Sequence, residues 1–193
     1  MTPSTPPDSS PGIANSNQQH GLDAEALYLK LLTQIKAQMA SQPASSSAAA
    51  NASLALVGIY SGGAWVAQRL AQDLGLQDRL GFIDVSFYRD DYAKRGLHPD
   101  VKPTQIPFDV DDASIILVDD VLYTGRTTRA AINELFDYGR PKRILLASLV
   151  DRGGRELPVA ADFVGHRADV ASHVSVNLHR ATDGIFSLSI DHA

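Results

Sequence analysis

One stretch limits the folds open to this chain more than any other: Ser114-Ile115-Ile116-Leu117-Val118-Asp119-Asp120-Val121-Leu122-Tyr123-Thr124-Gly125-Arg126-Thr127-Thr128. Ile115 to Val118 is a short, apolar, mostly β-branched run, the pattern of a strand buried on both faces. Asp119 and Asp120 end that run with two carboxylates. Thr124 to Thr128 is then a small, hydroxyl-rich turn that opens a helix. A glycine in such a turn lets the backbone approach a ligand closely, and the first amides of a helix have no intrahelical partner. A helix N-terminus beside threonine hydroxyls suits an anion. Taken singly, the acids read as a solvated strand end and the Thr-Gly-Arg-Thr turn as a helix cap. Together, a few residues apart, they suit a ligand that carries both hydroxyls and a phosphate, such as a ribose 5-phosphate. The turn is not a Walker A loop, because the lysine and the glycine spacing are absent.

The rest of the composition narrows the class. A chain of 193 residues has room for one domain with a proper core. It contains no cysteine, which removes disulfides, thiolate metal sites and a cysteine nucleophile together. No run approaches the roughly 18 apolar residues that a membrane-spanning helix needs, and the N-terminus lacks a signal-peptide pattern, so a cytoplasmic protein without membrane contact is expected. The formal net charge of −5 argues against broad nucleic-acid affinity. The six histidines show no metal-ligand spacing, and no G-x-S-x-G elbow is present.

In chain order, residues 1–20 are rich in Pro, Ser, Asn and Gln and are expected to be disordered. The domain is expected over 21–193, with the Pro/Ser/Ala-rich segment 42–53 as a flexible loop. Asp23 can cap a first helix, whose stripe is Leu27, Leu31, Ile35 and Met39. Leu54 to Tyr60 reads as a buried strand that runs into Ser61-Gly62-Gly63 and then a helix from Ala64 to Leu74, closed by Gly75. Strand, glycine turn and helix make the first half of a βαβ unit. A second strand is expected over Gly81 to Phe87. The long polar stretch 93–107, with three prolines, reads as a lid. After the Thr-Gly-Arg-Thr turn a helix runs to Tyr138, with Ile132, Leu135 and Phe136 toward the sheet, and another buried strand covers Arg143 to Val150. Strands ending at Ser61, Asp119 and Asp151 would line the crevice of an open parallel sheet. Short apolar pieces at 162–164, 174–178 and 185–190 are expected to form a cap over it.

The central stretch resembles the phosphoribosyl-pyrophosphate signature of the type I phosphoribosyltransferases. The strings Tyr88-Arg89-Asp90-Asp91, Val150-Asp151-Arg152-Gly153 and Arg155-Glu156-Leu157-Pro158 sharpen the likeness. In order and spacing the chain is similar to the PyrR family, the bifunctional pyrimidine operon regulators and uracil phosphoribosyltransferases, from about Leu22 to the C-terminus. The resemblance implies an α/β type I phosphoribosyltransferase fold: a central, mostly parallel sheet flanked by helices, a small C-terminal cap or hood, and a flexible lid. It implies that uracil and phosphoribosyl pyrophosphate give uridine monophosphate (UMP) and diphosphate. Asp119 and Asp120 would hold the ribose hydroxyls, and Val121, Leu122, Tyr123, Thr124, Gly125, Arg126, Thr127 and Thr128 would complete the phosphoribosyl site. Ser61, Gly62 and Gly63 would form the pyrophosphate loop, and Arg89 on the lid would meet the leaving group. Arg152 would lie by the nucleotide, and Val176 in the cap would present backbone groups to the base. Mg²⁺ would arrive with the substrate, with Asp119 and Asp120 as its protein ligands. A homodimer or a dimer of dimers is implied.

Two departures from the family pattern matter. The pyrophosphate loop usually reads Thr-Arg-Gly, and here Gly62 replaces the cation, so weaker pyrophosphate binding is expected. In members that bind RNA, the first helix carries a histidine after Leu-Thr where this chain has Ala37, and a second histidine is replaced by Gly154. Arg152, Arg155 and Lys142 remain as candidate phosphate contacts. With the net acidity, these losses argue against strong sequence-specific RNA binding. Two other readings stand beside the uracil enzyme: a weakly catalytic or non-catalytic uridine-nucleotide sensor acting through RNA, and a purine phosphoribosyltransferase.

Overall fold

The computed structural model describes residues 22–41, 53–85 and 103–192. Helix α1 spans Ala24–Ala40, and Asp23 caps it by accepting from the amides of Glu25 and Ala26 at 3.1 and 3.2 Å. Its buried side is wider than a four-residue recurrence implies: Tyr28, Leu31, Leu32 and Ile35 are buried, while Leu27 and Met39 are only partly so. Strand β1 (Leu54–Ile59) leads into helix α2 (Gly62–Leu74), which ends on Gly75 in the left-handed conformation. Strand β2 (Leu80–Ile83), strand β3 (Ser114–Leu122), helix α3 (Arg126–Tyr138), strand β4 (Arg143–Asp151) and strand β5 (Phe163–Arg167) follow.

These five strands form one parallel sheet in the order β2-β1-β3-β4-β5. Alternate residues separate its two faces. Leu54, Leu56, Ile116 and Val118 pack with α1 and α2, whereas Ala55, Val57, Ile59, Ile115 and Leu117 pack with α3. Strand order reverses between β1 and β3, so the carboxyl ends of these neighbours open a crevice. The last two strands, β6 (Val174–Arg180) and β7 (Phe186–His192), form a separate antiparallel hairpin, the hood.

Several sequence expectations are corrected. The piece at 162–164 belongs to the sheet and not to the cap: β5 pairs with β4 from Ala147↔Phe163 to Asp151↔Arg167. Its outer edge is closed by Gln34, whose amide donates to the Val164 carbonyl at 2.8 Å and accepts from the Val164 N–H at 3.2 Å. Strand β2 stops at Ile83 because its pairing with β1 ends at Ile59↔Ile83, where β1 itself turns; residues 86–87 lie outside the described residues. Helix α2 begins at Gly62, two residues earlier than expected. Phe136 does not face the sheet. It is 44% exposed, one step round the helix from buried Leu135, with the Arg140 guanidinium 5.8 Å above its ring. Of the expected lid, only 103–107 is described; there Gln105 bridges the backbone of Phe82 in both directions at 2.7 and 2.8 Å. The N-terminal 1–20 and nearly all of 42–53 fall outside the described residues. Among the described residues no helix is long and apolar enough to cross a membrane.

Candidate active site

The carboxyl end of β3 carries the two acids. Val118 pairs with Gly58, so Asp119 and Asp120 emerge beside the point where β1 turns into the Ser61-Gly62-Gly63 loop. Asp119 is 3% exposed, and one of its oxygens accepts from the Asp120 N–H at 3.1 Å. The loop sits against these acids because its second and third residues have no side chain. A Cβ on Gly63 would lie 2.4 Å from the Val118 carbonyl and 2.9 Å from the Asp119 Cα. A Cβ on Gly62 would lie 2.2 Å from an Asp120 carboxylate oxygen. The family's arginine at position 62 therefore fits only if Asp120 turns away, so Gly62 and the observed Asp120 rotamer are one arrangement.

The Thr124–Thr128 turn lies on the far side of the acids. Gly125 adopts φ 91°, a left-handed conformation that glycine takes without strain, and this reverses the chain into α3. Thr124 Oγ1 accepts from the Arg126 N–H at 3.3 Å, and the Thr124 carbonyl accepts from the amides of Glu156 and Leu157, each at 3.0 Å. Thr128 Oγ1 is buried with no hydrogen-bond partner among the described residues, and so is Arg152 Nε. Both residues line the same cleft, so each leaves polar capacity for a ligand.

The segment after β4 braces this turn. Leu122 pairs with Asp151, and the Arg152 N–H then donates to the Leu122 carbonyl at 3.1 Å. The Arg152 side chain is buried, stacks 4.0 Å over the Tyr123 ring and donates to the Ala171 carbonyl at 3.0 Å. Nearby Glu156 pairs with Arg126 at 2.6 Å. The Arg155 side chain, one of the candidate phosphate contacts, is 22% exposed. Its guanidinium is engaged by the carbonyls of Leu122, Tyr123, Gly153 and Val159 and by the Asp151 carboxylate. It braces the chain that leads into the Thr124–Thr128 turn.

These parts enclose a cleft of about 610 Å³, with Ser61, Gly62, Asp119, Asp120 and the Tyr123–Thr128 turn on one side and residues 172–178 of the hood on the other. Every described residue assigned to the phosphoribosyl, pyrophosphate and base sites except Gly63 and Arg126 lines this cleft, Val176 included, whereas Asp151 at the end of β4 does not. Gly63 packs behind the loop, and Arg126 turns outward to Glu156. Arg89 lies outside the described residues.

The phosphoribosyl transferase domain family matches residues 28–179. The "Bifunctional protein PyrR" of Ralstonia nicotianae is 53% identical over 163 residues, which cover 84% of this chain and 89% of that protein. The chain belongs to the PyrR family. Among solved structures, a purine phosphoribosyltransferase from Pyrococcus horikoshii superposes with a TM-score of 0.54 at 26% identity, over 76% of this chain and 83% of its own. A hypoxanthine-guanine phosphoribosyltransferase from Bacillus anthracis superposes with a TM-score of 0.58 at 18% identity, over 82% and 86%, and shares the fold.

Within this PyrR-family cleft, sequence reasoning missed Trp65 and the polar run Ser172-His173, all of which line it. Trp65 stands four residues after Ser61, in the first turn of α2, so it rises on the same side as the loop. That spacing was a readable signal. Ser172 and His173 carried none, because their place depends on how the hairpin that follows them docks. The site fits a divalent cation carried by a substrate: it offers the Asp119 and Asp120 carboxylates, and among the described residues no cluster of three or more potential ligands exists.

Proposed function

We propose that the protein is a uracil phosphoribosyltransferase, which converts uracil and phosphoribosyl pyrophosphate to UMP and diphosphate. The observation that carries this reading is the convergence on one cleft of paired acids, a hydroxyl-rich helix N-terminus, a glycine loop and a hood. In the reaction, uracil N1 forms a bond to ribose C1 as the C1–oxygen bond to pyrophosphate breaks, and uracil gives up its N1 proton.

Each chain element has a task. The amides and hydroxyls of Thr124–Thr128, with unpartnered Thr128 Oγ1, anchor the 5-phosphate. Asp119 and Asp120 hold the ribose hydroxyls and face the ring carbon where positive charge develops, as carboxylates do in glycoside chemistry. The Ser61-Gly62-Gly63 loop admits the pyrophosphate against bare backbone. Mg²⁺, held between Asp119 or Asp120 and the substrate, would neutralise charge on the leaving group. Arg152 stiffens the nucleotide side through Tyr123, and the hood backbone around Val176 reads the base.

The name "bifunctional" belongs to the relatives. In this chain the engagement of Arg155 with backbone carbonyls and Asp151 supports the transferase over an RNA-binding role. The test is a competition: uracil, hypoxanthine and guanine are offered together with phosphoribosyl pyrophosphate and Mg²⁺. Consumption of uracil alone is the expected result. Consumption of a purine would replace this reading with a purine enzyme.

A further inference from the structure

The hood forms the base-facing wall of the cleft, yet among the described residues it shares no strand pairing with the main sheet. Val176, Leu178 and Phe186 bury its apolar side in the core, and a polar cluster outside the cleft, where α1, α2 and β7 meet, clasps it there. One Glu25 oxygen, Oε1, accepts two hydrogen bonds at 2.7 Å, from the Arg69 guanidinium and from the Phe186 N–H. Phe186 is the first residue of β7, so this carboxylate grips the hairpin by its backbone. The Arg69 guanidinium lies 4.2 Å from the Tyr28 ring centroid and 5.2 Å from that of Phe186. The two rings meet edge to face at 5.9 Å. The Tyr28 hydroxyl donates to Asp73 on α2 at 2.5 Å, which fixes the ring under the cation. Cation–π contacts of this kind gain strength where they are partly desolvated, and the Arg69 and Glu25 side chains are only 32% and 31% exposed.

A second contact ties the hood to the pyrophosphate loop. Arg180, at the end of β6, donates to Gln68 at 3.1 Å and lies 5.2 Å from the Trp65 ring, and Trp65 lines the cleft. Hood, α2 and the first turn after the pyrophosphate loop are thus joined on one side of the molecule.

We propose that Arg69, acting with Glu25, is a positioning residue for the base: the pair sets the seat of the hood hairpin and so the distance between its 172–178 wall and the Asp119–Asp120 end of the cleft. It touches no reacting atom. The proposal rests on reading the cleft as a uracil site. It separates the two substrates, because the hood meets the base, whereas the phosphoribosyl group is held by β3, α3 and the Ser61 loop.

The test uses the full chain with Arg69→Met, which keeps an apolar stem on the two rings, and with Glu25→Gln, which keeps an oxygen for the Phe186 amide while removing the charge. Hydrogen exchange is followed for residues 174–192 and for β3, alongside steady-state kinetics. Faster exchange in the hood with β3 unchanged is expected. The KM for uracil should rise about tenfold, with the KM for phosphoribosyl pyrophosphate and kcat held within about twofold. Unchanged hood exchange in both variants would overturn the proposal. So would a joint rise of both KM values with a lower melting temperature, the signature of a general structural role. If the wild type turns over no uracil, the reading of the cleft fails, and the exchange comparison still decides whether this pair holds the hood.

Discussion

Asp119 and Asp120 share a peptide bond but not an environment. Asp119 is buried at the sheet end and accepts the amide of its neighbour, whereas Asp120 is half-buried in the space left by Gly62. Replacing Asp119 by Asn keeps the shape and removes the charge that the proposed reaction sets against the ring carbon. We expect Asp119→Asn to lower kcat/KM for phosphoribosyl pyrophosphate about 100-fold, or ~2.7 kcal/mol of transition-state stabilisation, as loss of one preorganised electrostatic group does elsewhere. Its melting temperature should stay near that of the parent. Gly62 acts through contact. An alanine there must displace the Asp120 carboxylate, so Gly62→Ala should lower kcat about tenfold while unfolding at the same denaturant concentration. An unchanged kcat would show that the Asp120 rotamer is not used in turnover.

Among elements, the seat of α2 on β3 and the seat of the hood on α1 decide the shape of the cleft. Gly63 lets α2 approach the β3 backbone, and a methyl group there overpacks against a carbonyl that has no room to yield. Gly63→Ala should cost about 1–3 kcal/mol in equilibrium denaturation, and a variant as stable as the parent would contradict the close-approach argument. The hood's attachment carries a pH dependence. Hydrogen bonding to Arg69 comes first among the causes that hold the Glu25 carboxyl below its ordinary value of 4.5, with help from the Phe186 amide and against a cost of burial. A carboxylate lowered on folding stabilises fully above that ordinary value, and the contribution is lost as pH falls through the folded value. The same neighbourhood holds Arg69, Tyr28 and Asp73, and burial with the Asp73 contact keeps the Tyr28 hydroxyl protonated far above its usual range. Trp65 is the single tryptophan of the chain and sits under hood residue Arg180. Its emission should shift as pH drops below 4.5 in the wild type, and Glu25→Gln should lose most of that shift.

Over the whole molecule, the elements whose pattern is local were legible in the sequence. The apolar β-branched run before Asp119 is buried on both faces because helices cover both sides of the sheet. The turn chemistry of Gly125 and the cap at Asp23 appear where the residues implied them. What was not legible depends on contacts between distant segments. Phe163 and Val164 read as a cap piece because four or five apolar residues carry no address; their place was decided by a free edge on β4 and by Gln34, about 130 residues earlier, closing the other side. Arg155 read as a candidate phosphate contact because nothing in its neighbours announces that the Leu122 and Tyr123 carbonyls, just before the Thr124–Thr128 turn, engage it. The clasp of Glu25 on Phe186 spans 161 positions and has no sequence signature.

In the proposed reaction, one cleft joins the ribose of phosphoribosyl pyrophosphate to uracil. It is tested most directly by measuring UMP and diphosphate formed from purified protein, uracil and phosphoribosyl pyrophosphate, with Mg²⁺ and with the metal chelated. Equal amounts of both products are expected, and only with Mg²⁺. Saturable binding of UMP with neither product formed in Mg²⁺ would contradict it and leave the cleft as a nucleotide sensor.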